Sequence, residues 1–137
     1  DGGVRNSNDK VAGSLVLTPN KKTFAAGDMV EITVSGKGLH YVNGLSFALP
    51  YNTSELEYVG TELLNMKDMV NLTYDRLHTN GQKELFPTFV NRGNNFLLDE
   101  GNHNLFIIKF KAKKAGKFNL KAKDGMLVDR NLGTVKF

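Results

Sequence analysis

The chain has 137 residues, and its 18 lysines and arginines against 14 aspartates and glutamates give a formal net charge of +4. This length suffices for one domain with a core that needs no covalent crosslinks. The absence of cysteine excludes disulfides and thiolate chemistry, and no apolar run approaches the ~18 residues of a membrane-spanning helix. The few arginines, scattered along the chain, lack the basic and aromatic clustering of nucleic-acid-binding proteins, so neither nucleic acid nor membrane insertion is expected.

The first segment, residues 1–13, is polar and glycine-rich with no apolar periodicity. This composition is typical of a tail or linker, so we predict a folded domain over 14–137. Because the chain begins with Asp1 rather than Met, we expect a processed or excised piece of a larger modular protein that is exported to the cell surface, the periplasm or the medium.

The region 14–52 carries three strand signals. An apolar run ends at Pro19, and a turn at Gly27-Asp28 precedes alternating apolar residues over 30–34. The segment 42–52 alternates most clearly, with one face built for a core. That face consists of Leu45, Phe47, Leu49 and Tyr51, and the opposite face consists of Gly44, Ser46, Ala48 and Pro50. Since outward strand faces usually carry longer polar side chains, the small-residue face is a candidate contact surface.

Two hairpins are predicted further along. Residues 71–92 are expected to turn at Asn80-Gly81, and residues 104–125 are expected to turn near Ala115-Gly116. Two short strands close the chain over 126–137. Turn signals every ~8–12 residues predict an all-β antiparallel sandwich of about seven to nine strands. A short helix is predicted only over 61–70, where the apolar spacing is helical.

The second predicted hairpin divides its residues between two faces. The core face contains Phe106, Ile108, Phe110 and Ala112, joined by Phe118, Leu120 and Ala122. The opposite face contains Lys109, Lys111, Lys113, Lys117, Lys121 and Lys123. This lysine face indicates either solubility and protection of a sheet edge or a site for an acidic ligand, such as an anionic glycan or an acidic protein.

Motifs for catalysis and metal binding are weak. The histidines, His40, His78 and His103, have no recognisable partner motif, and no nucleophile elbow, zinc-protease or phosphate-loop pattern occurs. Asp99, Glu100 and His103, and separately Asp129 and Asn131, are spaced as calcium ligands can be, but such residues also form ordinary turns. We therefore predict no enzyme activity and no cofactor.

Three segments, taken in order, resemble a cohesin module. They are AGDMVEITVSG, VNGLSFALPYNTSELEYVG and NLFIIKFKAKKAGKFNLKAKDGMLVDRNL. The matching positions are Gly27, Asp28, Val30, Val34, Tyr51, Leu56, Glu57, Phe110, Ala112, Lys113, Gly116, Asp129, Asn131 and Leu132. The resemblance covers residues 14–137 and implies a β-sandwich of about nine strands with jelly-roll topology.

The resemblance also implies a function. Cohesins bind dockerin modules, which are small calcium-binding helical domains, so a dockerin-like protein partner is expected and any calcium belongs to that partner. The strand 43–51 lies in the implied docking sheet, and the implied contact residues are Gly44, Ser46, Ala48, Leu77, Thr88 and Asn91. Cellulosomal cohesins carry Asn and Asp at the positions of Gly44 and Ser46, so this chain looks more like the cohesin-like modules of bacterial surface glycosidases.

Two alternatives remain open at this stage. A carbohydrate-binding module would need Tyr41, Tyr58 or Tyr74 exposed on one flat or grooved surface. A structural spacer of a glycoside hydrolase would pack its small-residue face against another domain of its own chain.

Overall fold

The computed structural model describes residues 13–66, 69–77, 82–93, 98–130 and 133–136. In this part of the chain every regular element is a strand, and no helix there is long and apolar enough to cross a membrane. The eleven strands of these ranges are β1 (Ser14–Pro19), β2 (Met29–Leu39), β3 (Val42–Asn52), β4 (Leu56–Leu63), β5 (Met69–Asn71), β6 (Tyr74–Leu77), β7 (Gln82–Phe86), β8 (Thr88–Asn91), β9 (Gly101–Ala112), β10 (Lys123–Asp129) and β11 (Thr134–Lys136).

Two antiparallel sheets face each other. The smaller sheet has the order β1-β2-β9-β4, and the larger has the order β11-β10-β3-β7-β6, with β8 pairing β3 and β5. The predicted all-β sandwich with jelly-roll topology is confirmed. Pairing is interrupted at Pro87, between β7 and β8, and at Leu72-Thr73, between β5 and β6. Proline supplies no amide donor to the ladder, and these two breaks raise the number of strands above the expected nine.

The core lies between the sheets and is built by strand alternation. Phe106 lies at its centre, with its ring centroid 6.4 Å from that of Phe47 and 4.8 Å from that of Phe89. The predicted core faces of the 30–34, 45–51 and 106–112 segments are all buried, as predicted.

The predicted hairpin at Ala115-Gly116 is wrong. β9 ends at Ala112 and pairs with β2 and β4, whereas β10 belongs to the other sheet. The segment that connects β9 to β10 is held against the domain by two backbone hydrogen bonds, of 2.9 and 3.0 Å, between Phe24 and Gly116. Phe118, Leu120 and Ala122 do pack against the core as predicted, but from a segment without strand pairing, so their alternation indicated burial and not a ladder.

The predicted lysine face is consequently divided. Lys109 lies on the outer face of the smaller sheet, 2.7 Å from Glu62, and Lys123 lies on the outer face of the larger sheet. The hydrogen bond to Glu62 raises the pKa of Lys109. Because the hairpin does not exist, the lysines are distributed over separate surfaces.

The predicted helix over 61–70 is also wrong. Thr61–Leu63 complete β4 and Met69–Asn71 form β5, with a bend between them. The spacing that suggested a helix combines two exposed leucines, Leu63 and Leu64, with two buried methionines, Met66 and Met69. The first predicted hairpin is confirmed, since β6 and β7 pair antiparallel up to Leu77 and Lys83; its turn at Asn80-Gly81 lies outside the described residues.

The turn before β2 is stabilised by a carboxylate. Oδ2 of Asp28 accepts a hydrogen bond from the Ala25 amide at 2.9 Å and lies 2.7 Å from Nζ of Lys21. The Lys21 contact, followed by the amide, lowers the pKa of Asp28. A lowered carboxyl pKa means that folding favours the ionised form, so this stabilisation is present above the ordinary Asp pKa of about 3.9 and is lost as the pH falls through the lowered value.

Asp28→Asn is therefore expected to lower the melting temperature modestly at pH 7, with the difference from wild type narrowing as the pH falls below the ordinary Asp pKa of about 3.9. Thermal unfolding followed by circular dichroism between pH 7 and pH 3 measures this. Asp99→Asn makes the same chemical change at an exposed position and is the control. A difference that stays constant over the whole pH range would contradict the role assigned to Asp28.

Candidate functional site

The outer face of the larger sheet is organised around β3, which lies between β10 on one side and β7 and β8 on the other. Leu45, Phe47 and Leu49 point into the core. Residues directly opposite each other in an antiparallel pair share a face. The register therefore identifies the outward neighbours of Gly44, Ser46, Ala48 and Pro50.

Gly44 lies between two valines. Val90 of β8 and Val128 of β10 are its direct partners, and Val70 of β5 lies beyond Val90. A Cβ placed on Gly44 would come 3.9 Å from Cγ1 of Val90 and 4.0 Å from Cβ of Val128. This row of the face is apolar, and its Val90 is 40% exposed.

Ser46 continues the same arrangement one step along β3. Its partners are Thr88 of β8 and Met126 of β10. The amide of the exposed Leu72 donates to the Thr88 carbonyl at 2.8 Å and extends this row towards the sheet edge. We call this depression the trough: its floor is Gly44 and Ser46, and its walls are Val90 and Thr88 on one side and Val128 and Met126 on the other.

An ion pair closes one end of the trough. Lys123 lies opposite Ala48, Glu84 lies opposite Pro50, and Nζ of Lys123 is 2.8 Å from Oε2 of Glu84. Since these two side chains stand on opposite sides of β3, the ion pair passes over that strand and leaves Ala48 only 2% exposed. The hydrogen bond to Glu84 raises the pKa of Lys123.

An aromatic pair lies beside the closed end. Tyr74 of β6 and Phe86 of β7 are direct partners whose rings stack with centroids 4.7 Å apart and planes 14° apart. Tyr74 is 52% exposed. The apolar surface therefore continues from the trough to the edge strand.

The other end of the trough is bordered by a stacked cation. Arg130 directly follows β10, Tyr41 directly precedes β3, and the guanidinium carbon lies 3.7 Å from the Tyr41 ring centroid. The Arg130 amide donates to the Tyr41 carbonyl at 3.0 Å, and the His40 ring lies 3.9 Å from that of Tyr41. These contacts hold Tyr41 at a φ of 55°, a left-handed conformation that costs about 1–2 kcal/mol in a residue with a side chain.

The structure brings together some of the sequence-predicted contact residues. Gly44, Ser46 and Thr88 lie side by side in the trough. Ala48 is on the same face but lies beneath the ion pair. Strand alternation puts Asn91 on the opposite face from Val90, where its side chain hydrogen-bonds Gly93.

Leu77 lies at the end of β6, opposite Lys83. Its side chain lies outside the described part of the structure. Sequence reasoning missed the valines and the methionine of the walls. Alternation within 88–91 and 126–128 was the available signal, but only the register shows that these strands flank β3.

Metal and acid–base chemistry find little support in the described residues. Oε2 of Glu100 is 2.9 Å from Nδ1 of His40, and Nε2 of His103 is 2.7 Å from the Glu100 carbonyl. Asp129 is buried and accepts a hydrogen bond from the Gly133 amide at 2.7 Å. In the ranges that the structure describes, no group of three or more His, Asp or Glu side chains could hold a metal ion. Asn131 and His78 lie outside those ranges.

The three candidate sugar-stacking tyrosines do not share a surface. Tyr41 is covered on one side by Arg130, and Tyr74 stands on the outer face of the larger sheet. Tyr58 is in the smaller sheet, where its hydroxyl is 2.7 Å from that of Thr61 and its ring contacts Phe110 edge-on. The three residues therefore do not form one common tyrosine surface, while Tyr74 is exposed on the outer face of the larger sheet beside the trough.

Comparison with known proteins identifies the architecture. No family model and no curated protein matches the chain. Among solved structures, a cohesin module from a Clostridium perfringens family 33 glycoside hydrolase superposes with a TM-score of 0.69 at 13% identity, over 93% of this chain and 91% of that one. The chain has the cohesin fold.

Two further structures with the cohesin fold are similar over 90% of this chain, each with a TM-score of 0.64. One is the sixth cohesin of scaffoldin B from Acetivibrio cellulolyticus, solved in complex with a mutant Cel5 dockerin, at 15% identity and over 92% of that chain. The other is a type II cohesin from Bacteroides cellulosolvens, at 16% identity and over 91% of that chain. The resemblance to cohesins drawn from the sequence is confirmed at the level of the fold.

Proposed function

We propose that this chain is a non-catalytic protein–protein interaction module that docks a dockerin-like helical partner in the trough. The observation that carries the proposal is the outward row of small residues on β3, flanked by valines, a threonine and a methionine. The complex of a similarly folded cohesin with a dockerin supports it. Among the contacts predicted from the sequence, Gly44, Ser46 and Thr88 are proposed to touch the partner. Ala48 lies at the end of the trough that the ion pair closes.

A helix fits this surface better than an extended peptide. β3 is hydrogen-bonded on both sides, so an incoming strand finds no unpaired backbone there, as strand addition requires. A helix uses side chains alone. Its i, i+4 row repeats every ~6 Å, close to the ~6.7 Å between Gly44 and Ser46 on one face of a strand, so successive side chains of one helical row can occupy the floor.

The expected interface has an apolar centre, formed by the trough, and a polar rim, as in standard-size protein complexes. Calcium, where the complex needs it, is supplied with the partner. This chain itself needs no cofactor for docking, because every proposed contact is a side-chain packing or hydrogen-bonding contact.

The biological setting is proposed on similarity. A cohesin module of the same fold comes from a glycoside hydrolase, which supports placement in a secreted, multimodular carbohydrate-active protein of a bacterium, with residues 1–13 as linker and 14–137 as the cohesin-like domain. The spacer alternative uses the same trough for a domain of its own chain. The exposed Val90 and Tyr74 are compatible with either partner.

Ser46→Arg is expected to abolish capture of partner proteins from the secreted fraction of the source organism, because an arginine on the half-buried floor fills the trough. Thr33→Arg makes a matched change at a half-buried outward position of β2, on the smaller sheet, and is expected to keep capture intact. Mass spectrometry of the captured proteins, with and without a calcium chelator, should identify calcium-dependent helical modules.

Equal capture by both variants would move the docking site away from the trough. Capture by neither the wild type nor Thr33→Arg would favour the spacer alternative, since the natural contact would then be a domain of the same chain.

A further inference from the structure

Charged side chains surround the trough, and their distribution is uneven. Lys136 lies opposite Met126 and is exposed, so it stands just outside one wall. Arg76 lies opposite Glu84 and is exposed, two strands away from β3 on the other side. Lys123 stands at the closed end, and the exposed Arg130 borders the other end. Cations therefore occur on every side of the apolar surface.

The carboxylates of the same border offset only part of this charge. Glu84 forms the ion pair with Lys123. Asp124 is exposed at the irregularity between Lys123 and Met126. Near the other end, Oε2 of the exposed Glu100 lies 2.9 Å from Nδ1 of His40, whose ring contacts that of Tyr41. Four cations and three carboxylates thus border the apolar centre, a small positive excess, and Lys136 stands beside its Met126 wall.

We propose that the partner segment is an acidic amphipathic helix, with an apolar ridge for the trough and carboxylates along both flanks. This inference rests on the proposed docking function and specifies the chemistry of the partner. A helix with its side chains is ~10–12 Å across, and strands are ~4.8 Å apart. Flanking side chains of a helix aligned with β3 therefore lie above the neighbouring strands, β10 on one side and β7 and β8 on the other. Lys136 on β11 and Arg76 on β6 stand one strand, ~4.8 Å, further out, where their long side chains face those flanks.

The border charges set specificity and association rate more than they set total affinity. Exposed ion pairs contribute about 0.2–1 kcal/mol each, and complementary rim charges accelerate encounter in a salt-dependent way. A helix with lysine flanks is repelled by the same border. The charges thereby select among helices that could otherwise fill the trough equally well.

The test selects binders without assuming their sequence. A display library of 20-residue helical peptides, randomised along the whole surface, is selected on the wild-type domain. Enriched peptides are then measured against Ser46→Arg, against Lys136→Glu/Arg76→Glu, and against the control Lys111→Glu/Lys117→Glu, which makes the same change in net charge at two exposed positions elsewhere.

The proposal expects peptides with an apolar i, i+3/i+4 stripe and Asp or Glu on both flanks. These peptides should lose binding to Ser46→Arg, bind Lys136→Glu/Arg76→Glu at least about fivefold more weakly, and bind the control double variant as they bind wild type. Peptides that depend on Ser46 but carry neutral or basic flanks would overturn the acidic helix and leave trough docking standing. Failure to obtain any binder that Ser46→Arg abolishes would count against both.

Discussion

Phe106→Ala is expected to lower the free energy of unfolding by about 3–5 kcal/mol, the usual cost of removing a fully buried phenylalanine ring. The Phe106 side chain is 0% exposed and contacts the rings of Phe47 and Phe89 from the opposite sheet. Its loss therefore opens a cavity where the two sheets meet. Since domains of this kind are stable by about 5–15 kcal/mol in total, one substitution removes a large share. Urea denaturation followed by far-ultraviolet circular dichroism measures the change.

The neighbouring Ile107 provides the matched control. It belongs to the same strand but faces outwards from the smaller sheet and is only half-buried. Ile107→Ala is expected to cost well under half as much as Phe106→Ala. Equal costs at the two positions would mean that the aromatic cluster is not the centre of the core.

Ala48→Arg is expected to destabilise the domain by about 1–3 kcal/mol, the range for forcing extra side-chain volume into a packed site. Ala48 lies beneath the Lys123–Glu84 ion pair. An arginine there must displace the lysine, because both cations compete for the space next to one carboxylate. The melting temperature should fall clearly, and partner capture should weaken in proportion to unfolding as well as through any direct contact.

Ser46→Arg is the matched variant with which the melting temperature of Ala48→Arg should be compared. Ser46 is half-buried on the open floor of the trough, so its substitution should leave the melting temperature near the wild-type value. Ala48→Ser changes little volume and should also be tolerated. If Ala48→Arg melts like the wild type, the ion pair does not cover that position, and the trough extends along β3 beyond Ser46.

The sequence predicted well those features that depend on one strand at a time. Alternation identified the buried faces of β2, β3 and β9 residue by residue, because period-two burial is a local property of an extended chain. The order of the segments also sufficed for the cohesin-like fold. The first success concerns only which residues are inside and requires no knowledge of which strands are neighbours, whereas the fold came from the resemblance of whole segments to a known family.

The errors arose where neighbouring segments join different sheets. Residues 104–125 alternate throughout, but β9 and β10 separate at Ala112 because Gly116 pairs with Phe24. The apolar alternation over 118–122 reflects packing of these side chains against the core, and it does not predict which strand, if any, the backbone pairs with. The lysines were placed on one face only because the hairpin was assumed, and the helix over 61–70 combined residues from two strands and a bend.

The candidate site was predictable in its floor and, among its walls, only at Thr88. The small residues of β3 are visible as a pattern in one strand. Val90, Val128 and Met126 become its neighbours only through register, which is a property of strand pairs. The ion pair over Ala48 is likewise a non-local result, since Lys123 and Glu84 come from strands on either side of β3.

The central place of β3 in its sheet also bears on how such a module can diversify. The floor strand is paired on both sides within the domain, and the residues that would meet a partner point outwards from strands whose inward residues build the core. Substitutions at the walls, such as Val90 or Met126, therefore leave the ladder intact. Evolution or laboratory selection can alter these positions to produce mutually orthogonal docking pairs on one unchanged scaffold.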